Sequence, residues 1–235
     1  MRVAAVYFSP TGNTKKSVEA MAAAIDPGYE TVDLTLPANR NTVCQFGPED
    51  LVIIGMPVYA GRIPMAAAPR LDGICGQKTP CILVATYGNR HYDDALVEME
   101  DIAKKQGFVV KGAAALVGRH TYGAIQVERP DADDLAADAE FAKKAAASGG
   151  LTCVIPGNRP YKEGIPGGKF KPLTSEACVG CGVCQENCVE RAIHQKEDGK
   201  YYIKEMDCDD CGICYTKCPQ ADTALICRLK EKGET

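Results

Sequence analysis

One feature constrains this chain more than any other: a run of cysteines that occurs twice in its last third. Residues 178–188 read CVGCGVCQENC and residues 208–218 read CDDCGICYTKC, so both copies have the spacing C-x₂-C-x₂-C-x₃-C. Three cysteines on so tight a loop can face one side of a metal cluster, whereas a fourth ligand must come from elsewhere in the chain. The repeat therefore predicts a small module of two similar halves related by a pseudo-twofold axis.

The number and placement of the cysteines indicate metal binding. Ten of the thirteen cysteines lie after residue 150. In a reducing compartment, clustered cysteines favour a metal site over disulfides. Structural zinc sites use separated cysteine pairs, and haem attachment requires C-x-x-C-H, whereas Gln185 and Tyr215 occupy the histidine positions here. The spacing therefore favours two [4Fe–4S] clusters.

The two runs resemble bacterial-type two-cluster ferredoxins over about residues 172–228. In that family the fourth cysteine of each run binds the other cluster, which implies two ligand sets. The first quartet is Cys178, Cys181, Cys184 and Cys218, and the second quartet is Cys208, Cys211, Cys214 and Cys188. One position departs from the family pattern, because Val189 follows the first run where Pro219 follows the second.

The first 147 residues alternate short apolar runs with helical patterns. Strands are expected at residues 3–8, 31–34, 51–55, 81–86 and 108–117. Helices are expected after Thr14, at about 93–106 and at 131–147, but the helix signal between the second and third strands is poor. This alternation predicts an α/β fold with a parallel sheet covered on both faces. Five strands fit a flavodoxin-like, doubly wound sheet of order 2-1-3-4-5, followed by a small α+β ferredoxin-like domain.

A polar turn, SPTGNT at residues 9–14, separates the first strand from the first helix. Its hydroxyls and the free N–H groups at the start of the helix can cradle a phosphate dianion. The turn has neither the G-K-[ST] ending of a Walker loop nor G-x-G-x-x-G, which argues against a dinucleotide. A polar helix cap without a ligand is the alternative. The turn resembles the phosphate loop of flavodoxins, which implies that FMN binds at the carboxyl ends of the strands.

Two further loops at strand carboxyl ends are expected to contact the flavin ring, with Tyr59 and Tyr87 as the candidates to flank it. The alternative is that both tyrosines only pack at the rim of the sheet. The chain has no Trp, and residues 86–90 depart from the acidic pattern usual in flavodoxins. The resemblance implies FMN contacts from Ser9, Thr11, Gly12, Asn13, Thr14, Pro57, Val58, Tyr59, Ala60, Gly61, Thr86, Tyr87, Gly88 and Asn89.

A change in composition divides the chain. Glycines and prolines accumulate after residue 148, which predicts a flavodoxin-like domain at 1–147, a linker at 148–171 and a ferredoxin domain at 172–235. A flexible linker would not fix the orientation of the two domains. A compact monomer and a head-to-tail homodimer, in which one chain's clusters meet the other's flavin, both fit this sequence.

Charge and hydropathy exclude several classes of function. The net charge of −4 does not suggest the basic surface of a nucleic-acid-binding protein. No apolar run is long enough to span a membrane, and the N-terminus lacks the layout of a secretory signal. We therefore expect a cytoplasmic protein.

Together, the two modules resemble the flavodoxin–ferredoxin fusion proteins of anaerobic microbes. The resemblance implies electron transfer between the two clusters and FMN, with redox partner proteins as donors or acceptors. The first alternative is an FMN-dependent reductase of a small molecule such as a quinone or nitro compound. The second is a regulatory module whose flavin site is empty.

Overall fold

The computed structural model describes residues 2–121, 123–163, 170–221 and 225–229. The first part of the chain comprises β1 (Val3–Tyr7), α1 (Asn13–Ile25), β2 (Glu30–Asp33), β3 (Cys44–Phe46), β4 (Leu51–Pro57), β5 (Ile74–Gly76), β6 (Thr79–Tyr87), α2 (Ala95–Lys105), β7 (Phe108–Val117) and α3 (Ala132–Ala147). The second part comprises β8 (Phe170–Thr174), α4 (Val183–Asn187), β9 (Ile193–Gln195), β10 (Tyr201–Ile203), α5 (Ile213–Lys217) and β11 (Leu225–Leu229).

Five strands of the first part form one parallel sheet in the spatial order β2-β1-β4-β6-β7. Numbered among themselves, these strands have the order 2-1-3-4-5, so the predicted flavodoxin-like topology is confirmed. Every residue of β1 is buried, as expected for a parallel strand covered on both faces.

Helices cover both faces of the sheet. On one face, Met21 of α1 and Ala142 of α3 share a buried cluster with Ile53 of β4. On the other face, Leu96 of α2 belongs to a second cluster with Ile54 of β4. Successive residues of β4 thus point into separate cores, because side chains alternate between the two faces of a strand.

The described chain forms no α-helix between β2 and β4 or between β4 and β6. Two 3₁₀ helices, Pro37–Asn39 and Ala68–Gly73, occupy these stretches, and β3 pairs with β5 in a short parallel ladder outside the main sheet. Pro69 lacks the N–H that would continue an α-helix. Residues Val189, Cys211 and Ile213 of the second part join the buried cluster on this face, so the cysteine-rich module covers part of it.

The cysteine-rich module is built from two antiparallel pairs, β8 with β11 and β9 with β10, and two helices of five residues each. Gly182 precedes α4 with φ of 80°, and Gly212 precedes α5 with φ of 76°. Both values lie in the left-handed region that glycine adopts at low cost. The two cysteine runs therefore have matching local structures, as their repeat predicts.

The middle of the predicted linker lies along α2 rather than free in solvent. The fully buried Asp94 carboxylate accepts hydrogen bonds from the N–H groups of Asn158 (2.8 Å) and Lys162 (2.7 Å). Arg159 forms an ion pair with Asp101 (2.6 Å). These contacts fasten residues 158–162 to the first domain. The predicted domain boundaries remain an expectation.

Among the described residues, no helix has the length and apolar character needed to cross a bilayer.

Candidate cofactor sites

The turn at residues 9–14 is held in place by its own backbone and by the neighbouring strand end. The N–H of Ser9 donates to Oγ1 of Thr35 (2.8 Å), and its hydroxyl accepts from the N–H of Lys15 (3.0 Å). Gly12, with φ of 87°, forms the N-cap of α1. The turn thus ends at a helix N-terminus, whose free N–H groups and dipole favour an anion.

Two side chains of the turn contact other loops. The hydroxyls of Thr14 and Thr86 lie 2.6 Å apart, and Nδ2 of Asn13 donates to the carbonyl oxygen of Arg119 (2.8 Å). Thr86 is the penultimate residue of β6, and Arg119 follows β7. These bonds join the carboxyl ends of three strands around one point, where ligands bind in doubly wound sheets.

A cleft of about 350 Å³, including its open mouth, lies at this point. Its lining consists of Ser9, Pro10, Thr11, Asn13, Thr14, Pro57, Val58, Tyr59, Thr86, Tyr87, Gly118, Arg119 and Thr121. The structure therefore brings together residues from all three loops that the sequence singled out. Their contacts with FMN remain a prediction.

Five of the predicted residues do not line the cleft: Gly12, Ala60, Gly61, Gly88 and Asn89. Two of the glycines have packing reasons of their own. A Cβ at Gly61 would lie 2.1 Å from Oδ2 of Asp93, and one at Gly88 would lie 2.4 Å from Cδ2 of His120. Both positions allow close packing between loops.

Besides Pro10, which lies within the predicted turn, three lining residues were missed by the sequence analysis: Gly118, Arg119 and Thr121. They follow β7, the fifth strand of the sheet. The rule that placed the other loops, namely that ligands bind at the carboxyl ends of parallel strands, also applies to this one. The end of the predicted fifth strand was therefore the signal that could have found them.

Tyr59 lies between the cleft and the cysteine-rich module. The backbone N–H and carbonyl groups of Tyr59 and Arg62 bond to each other, so residues 59–62 form a tight turn. Burial raises the pKa of Tyr59 well above its usual value, and nearby Cys211, Asp209 and Asp210 raise it further. The Tyr59 side chain therefore lies close to the second quartet.

The first quartet surrounds a hollow of about 370 Å³, including its mouth. Cys178, Cys181, Cys184 and Cys218 all line it. Burial raises the pKa of Cys184 to about 11, the N–H of Gln185 lowers it, and the other three cysteines raise it. Cys181 is exposed, so one side of this hollow faces solvent.

The second quartet surrounds a similar hollow of about 340 Å³. Cys188, Cys208, Cys211 and Cys214 all line it. Burial raises the pKa of Cys211, the N–H of Ile213 lowers it, and the other three cysteines raise it. Cys188, Cys211 and Cys214 are buried, so the cysteines of this quartet are less exposed than those of the first.

The donor sets of the two hollows fit a cluster of several metal ions. Among the described side chains, no group of three or more His, Cys, Asp or Glu is arranged to hold a single metal ion. Each quartet instead lines a hollow of its own with four cysteine side chains. Backbone N–H groups point at the sulfurs, from Ala192 to Cys188 (3.2 Å) and from Asp210 to Cys208 (3.4 Å). Such bonds stabilise thiolates and tune iron–sulfur clusters.

The second quartet lies against the cleft. A Cβ at Gly212, between Cys211 and Cys214, would lie 2.6 Å from Cγ2 of Thr121 and 3.5 Å from Cγ2 of Thr11. Thr11 belongs to the turn at residues 9–14, and both threonines line the cleft. The two candidate cofactor sites are therefore neighbours within one chain.

No family model matches the chain. Solved structures that it resembles include a flavodoxin from the domain Archaea, with 15% identity and a TM-score of 0.40 over 62% of this chain and 99% of that one. Oxidised flavodoxin 2 from Bacillus cereus has 14% identity and a TM-score of 0.44 over 62% of this chain and 98% of that one.

Two proteins of Methanocaldococcus jannaschii are related in sequence. The pyruvate synthase subunit PorD is 41% identical over 51 residues, which are 21% of this chain and 59% of PorD. This chain thus matches less than two thirds of PorD. An uncharacterized ferredoxin is 33% identical over 63 residues, which are 25% of this chain and 82% of that ferredoxin.

A flavodoxin-like sheet with a cleft at its carboxyl edge, joined to a module with two cysteine quartets, defines a two-module protein with three candidate cofactor sites. The chain belongs to the ferredoxin family through its C-terminal part. The first part has the flavodoxin-like strand order that the sequence predicted.

Proposed function

We propose that the chain transfers electrons between two [4Fe–4S] clusters and FMN and exchanges them with redox partner proteins. The observation that carries this proposal is the contact of Gly212, in the second quartet's loop, with Thr11 and Thr121 at the cleft. Two redox cofactors bound in these sites would be adjacent in a single chain, and no second copy is needed to bring them together.

The residues of each quartet would hold one cluster. Four thiolates, one for each iron, come from two separate runs, so binding also joins the two halves of the module. Burial raises the pKa of Cys184 and of Cys211, so coordination must supply the energy that ionises them. The N–H groups of Gln185 and Ile213 favour the ionised sulfurs and partly offset this cost.

The cleft would hold FMN by its phosphate and its ring. Ser9, Thr11 and Thr14 supply hydroxyls, and the N-terminus of α1 supplies N–H groups and a positive dipole end. Tyr59 and Tyr87 line the same cleft at the other two strand ends, where the ring would lie. Bound clusters exchange single electrons and FMN exchanges one or two, so the pair converts between the two modes.

The two quartets differ in their access to solvent, which supports different tasks for them. Cys211 and Val189 are buried against the first domain. Cys181 and Val179 of the first quartet's loop are exposed. We therefore assign exchange with partner proteins to the first quartet and exchange with the flavin to the second.

The test is anaerobic purification with quantitation of iron, sulfide and flavin. The expected content is about eight iron and eight sulfide per chain, on the stoichiometry of two [4Fe–4S] clusters, with one FMN. Addition of a reduced ferredoxin should then bleach the flavin absorbance. Zinc in place of iron and sulfide would overturn the proposal, and so would loaded clusters that never exchange electrons with the flavin.

A panel of quinones and nitro compounds separates electron carriage from small-molecule reduction. An electron carrier should show no saturable turnover with these acceptors. Saturable turnover that requires FMN would instead assign the chain to the reductases.

A further inference from the structure

Arg70 is a buried cation at the boundary between the two modules. Its side chain lies in the 3₁₀ helix Ala68–Gly73 and is 2% exposed. Among the described residues, no carboxylate lies within ion-pair distance of its guanidinium. Five backbone carbonyls accept its hydrogen bonds instead, those of Ala66 (3.0 Å), Leu34, Thr35 (2.8 Å), Leu36 (3.2 Å) and Val189 (3.2 Å).

These hydrogen bonds connect the two candidate cofactor sites. Thr35 accepts from the N–H of Ser9 in the turn at residues 9–14. Val189 follows Cys188 of the second quartet, and its 1% exposed side chain packs in the first domain's core. The carbonyl of Val189 also accepts from Nη2 of Arg40 (2.6 Å). A single guanidinium thus reaches the backbone beside both sites.

The charge of Arg70 acts at short range on the second quartet. Burial and the neighbouring Arg40 lower the pKa of Arg70, whereas Glu190, Asp33 and Cys211 raise it. Arginine nevertheless stays protonated in proteins at neutral pH. Without a paired carboxylate and away from water, its field is only weakly screened. A cluster becomes more negative when it is reduced, so a nearby fixed cation favours the reduced form.

We propose that Arg70 is a positioning residue with two effects. It holds the backbone next to Cys188 of the second quartet against the flavodoxin-like domain, and it raises the reduction potential of the cluster in that quartet. This inference rests on the proposed function. Glu190 lies near Arg70 and Asp209 lies near Glu190, so Glu190 partly offsets the charge of Arg70. The first quartet has Val179 and Gly180 where the second has Asp209 and Asp210.

The experiment is a redox titration of the anaerobic, fully loaded chain, monitored by electron paramagnetic resonance. Arg70→Gln removes the charge, Arg70→Lys keeps it with fewer donors, and Arg159→Gln removes a surface cation as the control. We expect Arg70→Gln to shift one cluster potential to a more negative value and to leave the other unchanged. Arg70→Lys should shift it less, and Arg159→Gln should shift neither.

The shifted potential is assigned with a Cys181→Ser variant, which alters the first quartet alone. A shift in the second cluster supports the inference. Equal shifts in both clusters, a shift in the first cluster only, or no shift in either overturns it.

Hydrogen exchange provides the second readout. Backbone N–H groups around Leu34–Leu36 and Val189 should exchange faster in Arg70→Gln than in Arg159→Gln, and unchanged exchange would overturn the positioning role.

Arg40→Gln is the second variant if Arg70→Gln does not fold. It removes the more exposed of the two guanidinium groups that donate to the carbonyl of Val189, and it should give smaller changes of the same sign. A chain without iron and sulfide would contradict the proposed function itself. Loaded clusters whose potentials do not change would contradict this inference alone.

Discussion

Gly212 lies so close to Thr121 that a Cβ on the glycine would come within 2.6 Å of the threonine Cγ2. Gly212 precedes α5 in the cysteine-rich module, and Thr121 follows β7 in the flavodoxin-like domain. The glycine therefore serves two purposes. It adopts a φ of 76° without strain, and the absence of a side chain allows the two modules to come into contact.

Replacing Gly212 with Ala should destabilise the chain more than the same change at a comparable glycine. Gly199 has φ of 81°, and a Cβ added there would meet no atom within 4 Å, so Gly199→Ala introduces strain alone, about 1–2 kcal/mol. Gly212→Ala adds the clash with Thr121, and overpacking of this kind costs about 1–3 kcal/mol. Thermal unfolding of the loaded proteins measures the difference. Equal losses in the two variants would show that the modules do not pack here.

The hydroxyls of the turn at residues 9–14 should matter for FMN and not for the clusters. A hydrogen bond to a charged group contributes about 1.5–3 kcal/mol, so removing one hydroxyl contact to the phosphate should weaken binding by about tenfold to a hundredfold. Thr11→Val combined with Thr14→Val should raise the Kd for FMN at least this much and leave the iron content unchanged. Thr31→Val, on the exposed edge of the sheet, is the control. An unchanged Kd would show that these hydroxyls do not bind the FMN phosphate.

Single cysteine replacements should remove one cluster each, with different consequences for the fold. Cys181→Ala and Cys211→Ala should both reduce the iron content from about eight to about four per chain. Cys211 is buried at the contact with the flavodoxin-like domain, whereas Cys181 is exposed. Loss of Cys211 should therefore also weaken FMN binding, and loss of Cys181 should not. Iron analysis and flavin titration of both variants test this, and identical flavin affinities would contradict it.

A buried carboxylate between α1 and α3 should make the stability depend on pH. Burial raises the pKa of Asp138, and the Ser17 hydroxyl lowers it only in part. One carboxylate oxygen of Asp138 has no hydrogen-bond partner within the described structure. The raised pKa means that the folded state binds the proton more tightly, so Asp138 costs stability as the pH rises from the unfolded pKa through the folded one.

Asp138→Asn should therefore stabilise the chain at pH 7, because it removes a charge that burial disfavours. The gain should shrink as the pH falls through the folded pKa, because Asp138 is then protonated in the native protein as well. Unfolding midpoints of both proteins measured from acidic to neutral pH check this. A gain that is constant over the whole range would contradict the assignment.

The positions of the strands and the spacing of the cysteines were predictable because both follow from local sequence. Apolar runs of strand length determine where β1, β4 and β6 form. The cysteine spacing places three sulfurs on one loop, and the resemblance to two-cluster ferredoxins implies where the fourth comes from. The structure accordingly groups the same two quartets around two hollows.

The relative placement of the modules could be learned only from the tertiary structure. Nothing in the repeat distinguishes the loop at Gly182 from the loop at Gly212, yet only Gly212 contacts the cleft. The contact depends on residues far apart in sequence, such as Arg70 and Val189, whose types are also common in ordinary cores and surfaces. Local spacing determines which atoms a short loop can bring together, whereas long-range packing determines which loop faces the other domain.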